Sequence, residues 1–172
     1  KVVSAAGCSC FMDLKSALHY INGSVFRENE PDVIGSSDTE RLFDCSVAAY
    51  LINPTKNAYG YDSIAMDFLG ETVPSRNEWL GKETLEKVYR DPAKRANLES
   101  YLAYSAYVPA RARGELSTRL ADAGMPELFR DVEMPLIFVL YDMERFGIRA
   151  NADELLAYGR QLSGRINELE QN

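Results

Sequence analysis

From residue 46 onward, apolar side chains return every three or four positions in stretches bounded by proline or glycine. That period and punctuation commit most of the chain to helices. The spacing predicts a helix over 46–52, closed by Asn53-Pro54 because proline disfavours a helical residue before it. Further helices are predicted over 63–69, stopped by Gly70, over 84–89, and over 92–107, where Pro92 suits a first helical position behind Asp91 as cap. Residues 71–81, which carry the single tryptophan, Trp79, read as a loop. Pro109 is expected to break or kink the chain after residue 107, with another helix running through Arg119 to a stop at Gly124. Pro126 then opens a stretch in which Leu128, Val132, Leu136, Val139, Leu140 and Met143 keep helical spacing up to Gly147. Asn151 and Glu154 have the spacing of a capping box for a last helix, striped by Leu155, Leu156, Gly159, Leu162, Ile166 and Leu169.

Ahead of this region the pattern is mixed. Residues 2–11 are small and β-tolerant and are expected to form a buried strand, with a second strand at 42–44. Leu14, Ala17, Leu18 and Ile21 predict a helix between them. Residues 22–40, rich in Gly, Ser, Asp, Glu and Asn, read as an exposed loop, disordered in part. Together these elements imply an α/β, helix-rich fold class with few strands. At 172 residues and 46% hydrophobic content, the chain can bury one moderate core plus an appendage.

Charge and cysteine usage narrow the function classes. The net charge of −7, from 26 acidic against 19 basic residues, repels a polyphosphate backbone overall, so any nucleic-acid contact is local. Residues 90–119 hold six basic and three acidic residues, and within them Arg111, Arg113 and Arg119 are the candidates for a weak DNA contact. A solvated helix face explains the same arginines, and from Glu127 onward the chain is acidic again. The longest apolar runs, such as 136–141, are far short of the roughly 20 residues of a membrane helix, so no membrane partner is expected. Cys8, Cys10 and Cys45 are odd in number and accompanied by one histidine, His19, which supports neither a zinc site nor a disulfide framework and fits a reducing cytoplasm. Cys8-x-Cys10 reads as strand filler rather than a metal site, and His19 as a partly buried or capping side chain. Tyr101, Tyr104 and Tyr107 read as core or interface residues ahead of base-stacking ones. The start at Lys1, without Met or signal-peptide pattern, and the end at Asn172 suggest a truncated or processed polypeptide, whose oligomeric state the sequence leaves open.

Three stretches resemble family A bacterial DNA polymerases. Phe43-Asp44-Cys45-Ser46-Val47-Ala48-Ala49-Tyr50-Leu51-Ile52-Asn53-Pro54, continued by Tyr59-Gly60-Tyr61-Asp62-Ser63-Ile64-Ala65 and Phe68-Leu69-Gly70, is similar to a strand-to-helix segment of that family's exonuclease domain. Glu133-Met134-Pro135-Leu136-Ile137-Phe138-Val139-Leu140-Tyr141-Asp142-Met143-Glu144-Arg145-Phe146-Gly147-Ile148 resembles the segment that opens the polymerase domain, and the helix from Ala152 to Asn172 the start of its thumb. The resemblance implies a partial RNase H-like exonuclease fold over 1–125, followed by long thumb helices over 126–172.

It also implies that the chemistry is missing. An editing exonuclease of this family holds two divalent metals on clustered carboxylates. Its first carboxylate pair lies upstream of anything matching here. Its second motif, an Asn followed four residues later by a metal-binding Asp, is best matched by Asp13-Leu14-Lys15-Ser16-Ala17, which puts Ala17 at the carboxylate position. A shifted register would make Asp13 the relevant residue instead. The third motif, Tyr followed four residues later by Asp, reads Tyr101-Leu102-Ala103-Tyr104-Ser105, so Ser105 replaces the carboxylate. A methyl cannot ligate a hard cation and a neutral hydroxyl is a poor substitute for an anionic oxygen. The expectation is a non-catalytic structural segment of a template-directed polymerase, needing no cofactor of its own. The parent would use Mg²⁺ and meet DNA, and the palm, fingers and remaining thumb would be this segment's partners. The alternative is a metal-dependent 3′–5′ exonuclease on single-stranded ends, working through Asp13, Asp44 or Asp62.

Overall fold

The computed structural model describes residues 7–22 and 34–170. Among the described residues, strands β1 (Ser9–Phe11) and β2 (Leu42–Asp44) run parallel with Ser9 opposite Leu42, Cys10 opposite Phe43 and Phe11 opposite Asp44. Each strand delivers the chain to a helix through an aspartate. Asp13, two residues past β1, caps α1 (Leu14–Ile21), and Asp44, the last residue of β2, caps α2 (Cys45–Ile52). An aspartate just before the first helical turn satisfies amide groups that the helix itself leaves unpaired. β1 covers the end of the strand expected over 2–11; residues 1–6 lie outside the described residues.

The remainder is helical: α3 (Tyr61–Ile64), widening into a π-type turn over Ala65–Leu69, then α4 (Arg76–Leu80), α5 (Leu85–Arg90) and the long α6 (Arg95–Asp122), which opens with a 3₁₀ turn at Pro92–Lys94. After Gly124, Pro126–Leu128 begins a run that passes through a second π-type turn, Phe129–Glu133, into α7 (Met134–Phe146); α8 (Ala152–Glu170) comes last. Gly70, Gly124 and Gly147 stand at positive φ where these helices stop, a conformation that costs a side-chain-bearing residue about 1 kcal/mol.

Three expectations are corrected. Residues 71–81 are not wholly loop: Ser75 and Glu78 form a reciprocal capping box that starts α4, with Trp79 inside it. Pro109 does not end a helix, since α6 runs unbroken through it. An interior proline costs a helix about 3 kcal/mol, but Val108, Pro109, Ala112 and Leu116 are all buried, and α6 packs along α2 through Ala48 and Ala49, whose small side chains admit close approach. Burial of that face outweighs the local penalty. Finally, the stretch 22–40 ends in a 3₁₀ turn, Ser36–Arg41, while residues 23–33 lie outside the described residues.

The chain divides into two compact units, Lys1–Asp142 and Met143–Asn172. In the first, Leu14 and Leu18 of α1, Phe43, the α2 alanines, Ile64, the buried face of α6, and Phe129, Met134, Ile137, Phe138 and Tyr141 make one core. Residues 129–141 thus contribute to this core. A smaller cluster joins Leu80, Val88 and Leu98, flanked by Trp79 and Tyr101. In the second unit, α8 buries none of its residues.

Candidate functional site

Open parallel sheets present their ligands at the carboxyl ends of the strands, where the chain turns into helices. A cleft of about 720 Å³ lies at that edge of β1. Phe11, Met12 and Asp13 come from the strand end, Ala17 from α1, Ser46 from the start of α2, Tyr59 to Asp62 from the entry of α3, Arg76 from α4, and Tyr101, Ser105 and Ala106 from α6. The three positions singled out from motif spacing, Ala17, Tyr101 and Ser105, therefore line one cavity, although residues 17 and 105 are far apart in the chain.

Most polar groups of this cleft are already engaged. The Ser16 amide and hydroxyl donate to Asp13 at 2.9 and 2.7 Å, so the carboxylate serves as a helix cap. Ser105 Oγ donates to the Tyr101 carbonyl at 2.8 Å, one turn back along α6. Ser46 Oγ donates to the carbonyls of Met12 and Tyr59, Tyr59 Oη to that of Asn53 at 2.6 Å, and Tyr61 Oη to that of Pro74 at 2.6 Å. Burial, with Asp62 nearby, pushes the Tyr61 phenol up to about 12 and keeps it a donor. Arg76, the cation of the cleft, donates to the carbonyls of Gly81 at 3.3 Å and Glu83 at 2.7 Å. Behind these residues Tyr61 meets Tyr101 edge-on, lies parallel to Tyr104, and Tyr104 lies near-parallel to Trp79. All three tyrosines of this group belong to packing contacts.

Asp44 stands apart from the cleft lining. It is 2% exposed and accepts from the Leu14 amide at 2.7 Å and the Val47 amide at 2.9 Å, fastening the first turns of α1 and α2 to the end of β2. Desolvation raises its carboxyl to about 6 against those backbone donors, which pull the other way. Cys10 lines the cleft with its thiol raised by burial and by Cys8; Cys45, buried and raised further by burial, donates to the Pro109 carbonyl. A raised thiol is a poor nucleophile. His19 is exposed and its ring meets that of Tyr141 edge-on at 4.9 Å. Among the described residues, no group of three or more His, Cys, Asp or Glu side chains is arranged to hold a metal ion.

Arg111 and Arg119 lie about 80° apart around α6, about two turns from each other, but Arg113 is on another side. At about 100° per residue, Arg113 points about 160° away from Arg111 and about 120° from Arg119. Arg119 is also paired with Glu115 at 2.8 Å and lies over the Phe68 ring.

The curated relatives of this sequence agree with one another. DNA polymerase I of Bacillus subtilis is 32% identical over 129 residues, covering 75% of this chain and 14% of the relative. The chain is a relative of a segment of bacterial DNA polymerase I. DNA polymerase I of Treponema pallidum is 32% identical over 130 residues, or 75% of this chain and 12% of that protein, and that of Caldicellulosiruptor bescii is 25% identical over 162 residues, or 92% and 15%. The chain thus spans about one seventh of the length of the polymerases it matches. No protein-family model and no solved structure matches it. No helix among the described residues is long and apolar enough to cross a membrane.

Motif spacing leads to the cleft but does not single out Tyr61 and Arg76 as lining residues. The aromatic and Gly pattern around Tyr59-Gly60-Tyr61 is the available signal: a glycine between two tyrosines ahead of a helix marks a tight approach.

Proposed function

We propose that this chain is a non-catalytic structural segment of a DNA polymerase I. Residues 1–125 are the later part of an RNase H-like exonuclease domain that has lost its metal ligands, and residues 126–172 begin the polymerase domain. The parent copies a DNA template from deoxynucleoside triphosphates with Mg²⁺, in replication and repair, and this segment meets the palm, fingers and remaining thumb. Its own DNA contact is weak, carried by Arg111, Arg113 and Arg119, of which Arg113 lies on a different side of α6 from the other two.

The observation that supports this reading is the composition of the cleft. A pair of catalytic cations needs several anionic oxygens converging on one point. At position 17 there is a methyl, at position 105 a hydroxyl spent on its own helix, and Asp13 is occupied as a cap. The residues present do not fit a two-metal centre, and no catalytic step is assigned to it. The domain is then retained for packing: the same α6 that carries Tyr101 and Ser105 supplies Val108, Ala112, Leu116 and Leu120 to the core.

One observation favours the rival reading, a 3′–5′ exonuclease with a shifted register: Asp13 and Asp62 line the same cleft. Calorimetric titration with Mn²⁺ and a nuclease assay on single-stranded DNA separate the two. The structural reading expects no cleavage above background; metal-dependent cleavage that disappears in Asp13→Ala would establish the enzyme.

A further inference from the structure

We propose that α8 is a self-association helix, through which two copies of this chain join in a short parallel coiled coil along its exposed apolar stripe. The inference is independent of the reading of the cleft.

Ala152, Leu155, Gly159, Leu162, Ile166 and Leu169 recur at alternating steps of three and four residues, the a and d spacing of a two-stranded seam. No residue of α8 is buried, so nothing within the single chain covers the stripe. A helix of 19 residues with two glycines is marginal alone, since each glycine costs about 1 kcal/mol against alanine and most helical stability comes from packing an apolar face. Covering the stripe is what stabilises α8.

The charges select the occupant. With the stripe at a and d, Arg165 falls at g and Glu170, five residues on, at e. In a parallel pair, g of one helix faces e of the following heptad on its partner, so each copy's Arg165 meets the other copy's Glu170, twice by symmetry. An antiparallel pair sets g against g and e against e, which separates these two charges. The other charged residues of α8, Asp153, Glu154, Arg160 and Glu168, fall at b and c, off the seam. Leu156 at e and Tyr158 at g widen the apolar contact in the first half of the helix. One helix therefore carries both halves of the recognition, as pairing with its own copy requires. The seam is short, and Ala152 and Gly159 fill little of it, so the contact buries on the order of 1,000 Å² in total and belongs with weak, transient complexes.

The test is sedimentation equilibrium of the full chain from about 10 µM to about 1 mM, the range of weak association, under reducing conditions so that no cysteine cross-link contributes. A monomer at the low end and a reversible dimer at the high end are expected. Leu162→Gln/Ile166→Gln exchanges exposed apolar side chains for good helix formers, leaves the core of the first unit untouched, and should weaken the dimer at least about tenfold. Arg165→Glu or Glu170→Arg alone sets like charges together and should weaken it about fivefold, and the two combined should restore the native value. A monomer throughout the range would overturn the proposal and leave the stripe to a helix from elsewhere in a parent chain. A dimer indifferent to the glutamines would place the contact on another surface. A double charge reversal that fails to restore association, while circular dichroism shows native helix content, would contradict the parallel pairing.

Discussion

Asp44 ties three elements of the first unit together. Its carboxylate is buried between two helix starts and one strand end, and it accepts from amides of both helices. Because burial lifts its pKa from 3.8 to about 6, the folded chain binds a proton there that the unfolded chain releases. Between those values the native state holds more protons, so this residue's contribution to stability is fully present below about pH 4 and is lost as pH rises through about 6, amounting to at most about 3 kcal/mol. Denaturant unfolding at steps from pH 4 to 7 should reveal this slope, and Asp44→Asn should flatten it.

At the scale of elements, the sequence carries local signals well and tertiary ones poorly. α1, β2 and α2 are readable from period and capping because their signals lie within a few residues. α4 escapes such a reading although Ser75 and Glu78 have capping-box spacing, since five residues between two loops give too little periodicity to register. Ser75→Ala should lower stability by about 1 kcal/mol and fray α4, observable as faster amide exchange at Trp79. The continuity of α6 through Pro109 is not a local property, because what opposes the proline is burial against α2, more than fifty residues earlier in the chain. Nor is the clamp made by Asn22, whose amide donates to the Ile34 carbonyl at 3.0 Å and accepts from the Ile34 amide at 3.2 Å. Asn22 is buried, so Asn22→Ala strands both backbone groups and should cost about 2–4 kcal/mol in thermal or denaturant unfolding. The gathering of Ala17, Tyr101 and Ser105 in one cleft is legible only through the spacing of a known family's motifs; nothing in composition or period links α1 to α6.

At the scale of the whole chain, stability is distributed unevenly. The first unit has a continuous core built from α1, α2, α6 and the 129–141 run, whereas α8 leaves Leu155, Leu162, Ile166 and Leu169 between 43% and 69% exposed. Local opening is cheapest where few apolar contacts must be broken. Hydrogen exchange on this chain should therefore find the α8 amides exchanging much faster than those around Val108, Ala112 and Leu116; equal protection would mean that α8 is held by something other than its own helix.

The central claim, that the cleft is short of anionic oxygens at positions 17 and 105, is tested most directly by restoring them. Calorimetric titration of Mn²⁺ into the native chain and into Ala17→Asp/Ser105→Asp, with circular dichroism establishing that both are folded, should give no saturable heat for the first and binding for the second. Equal saturable binding by both would contradict the account.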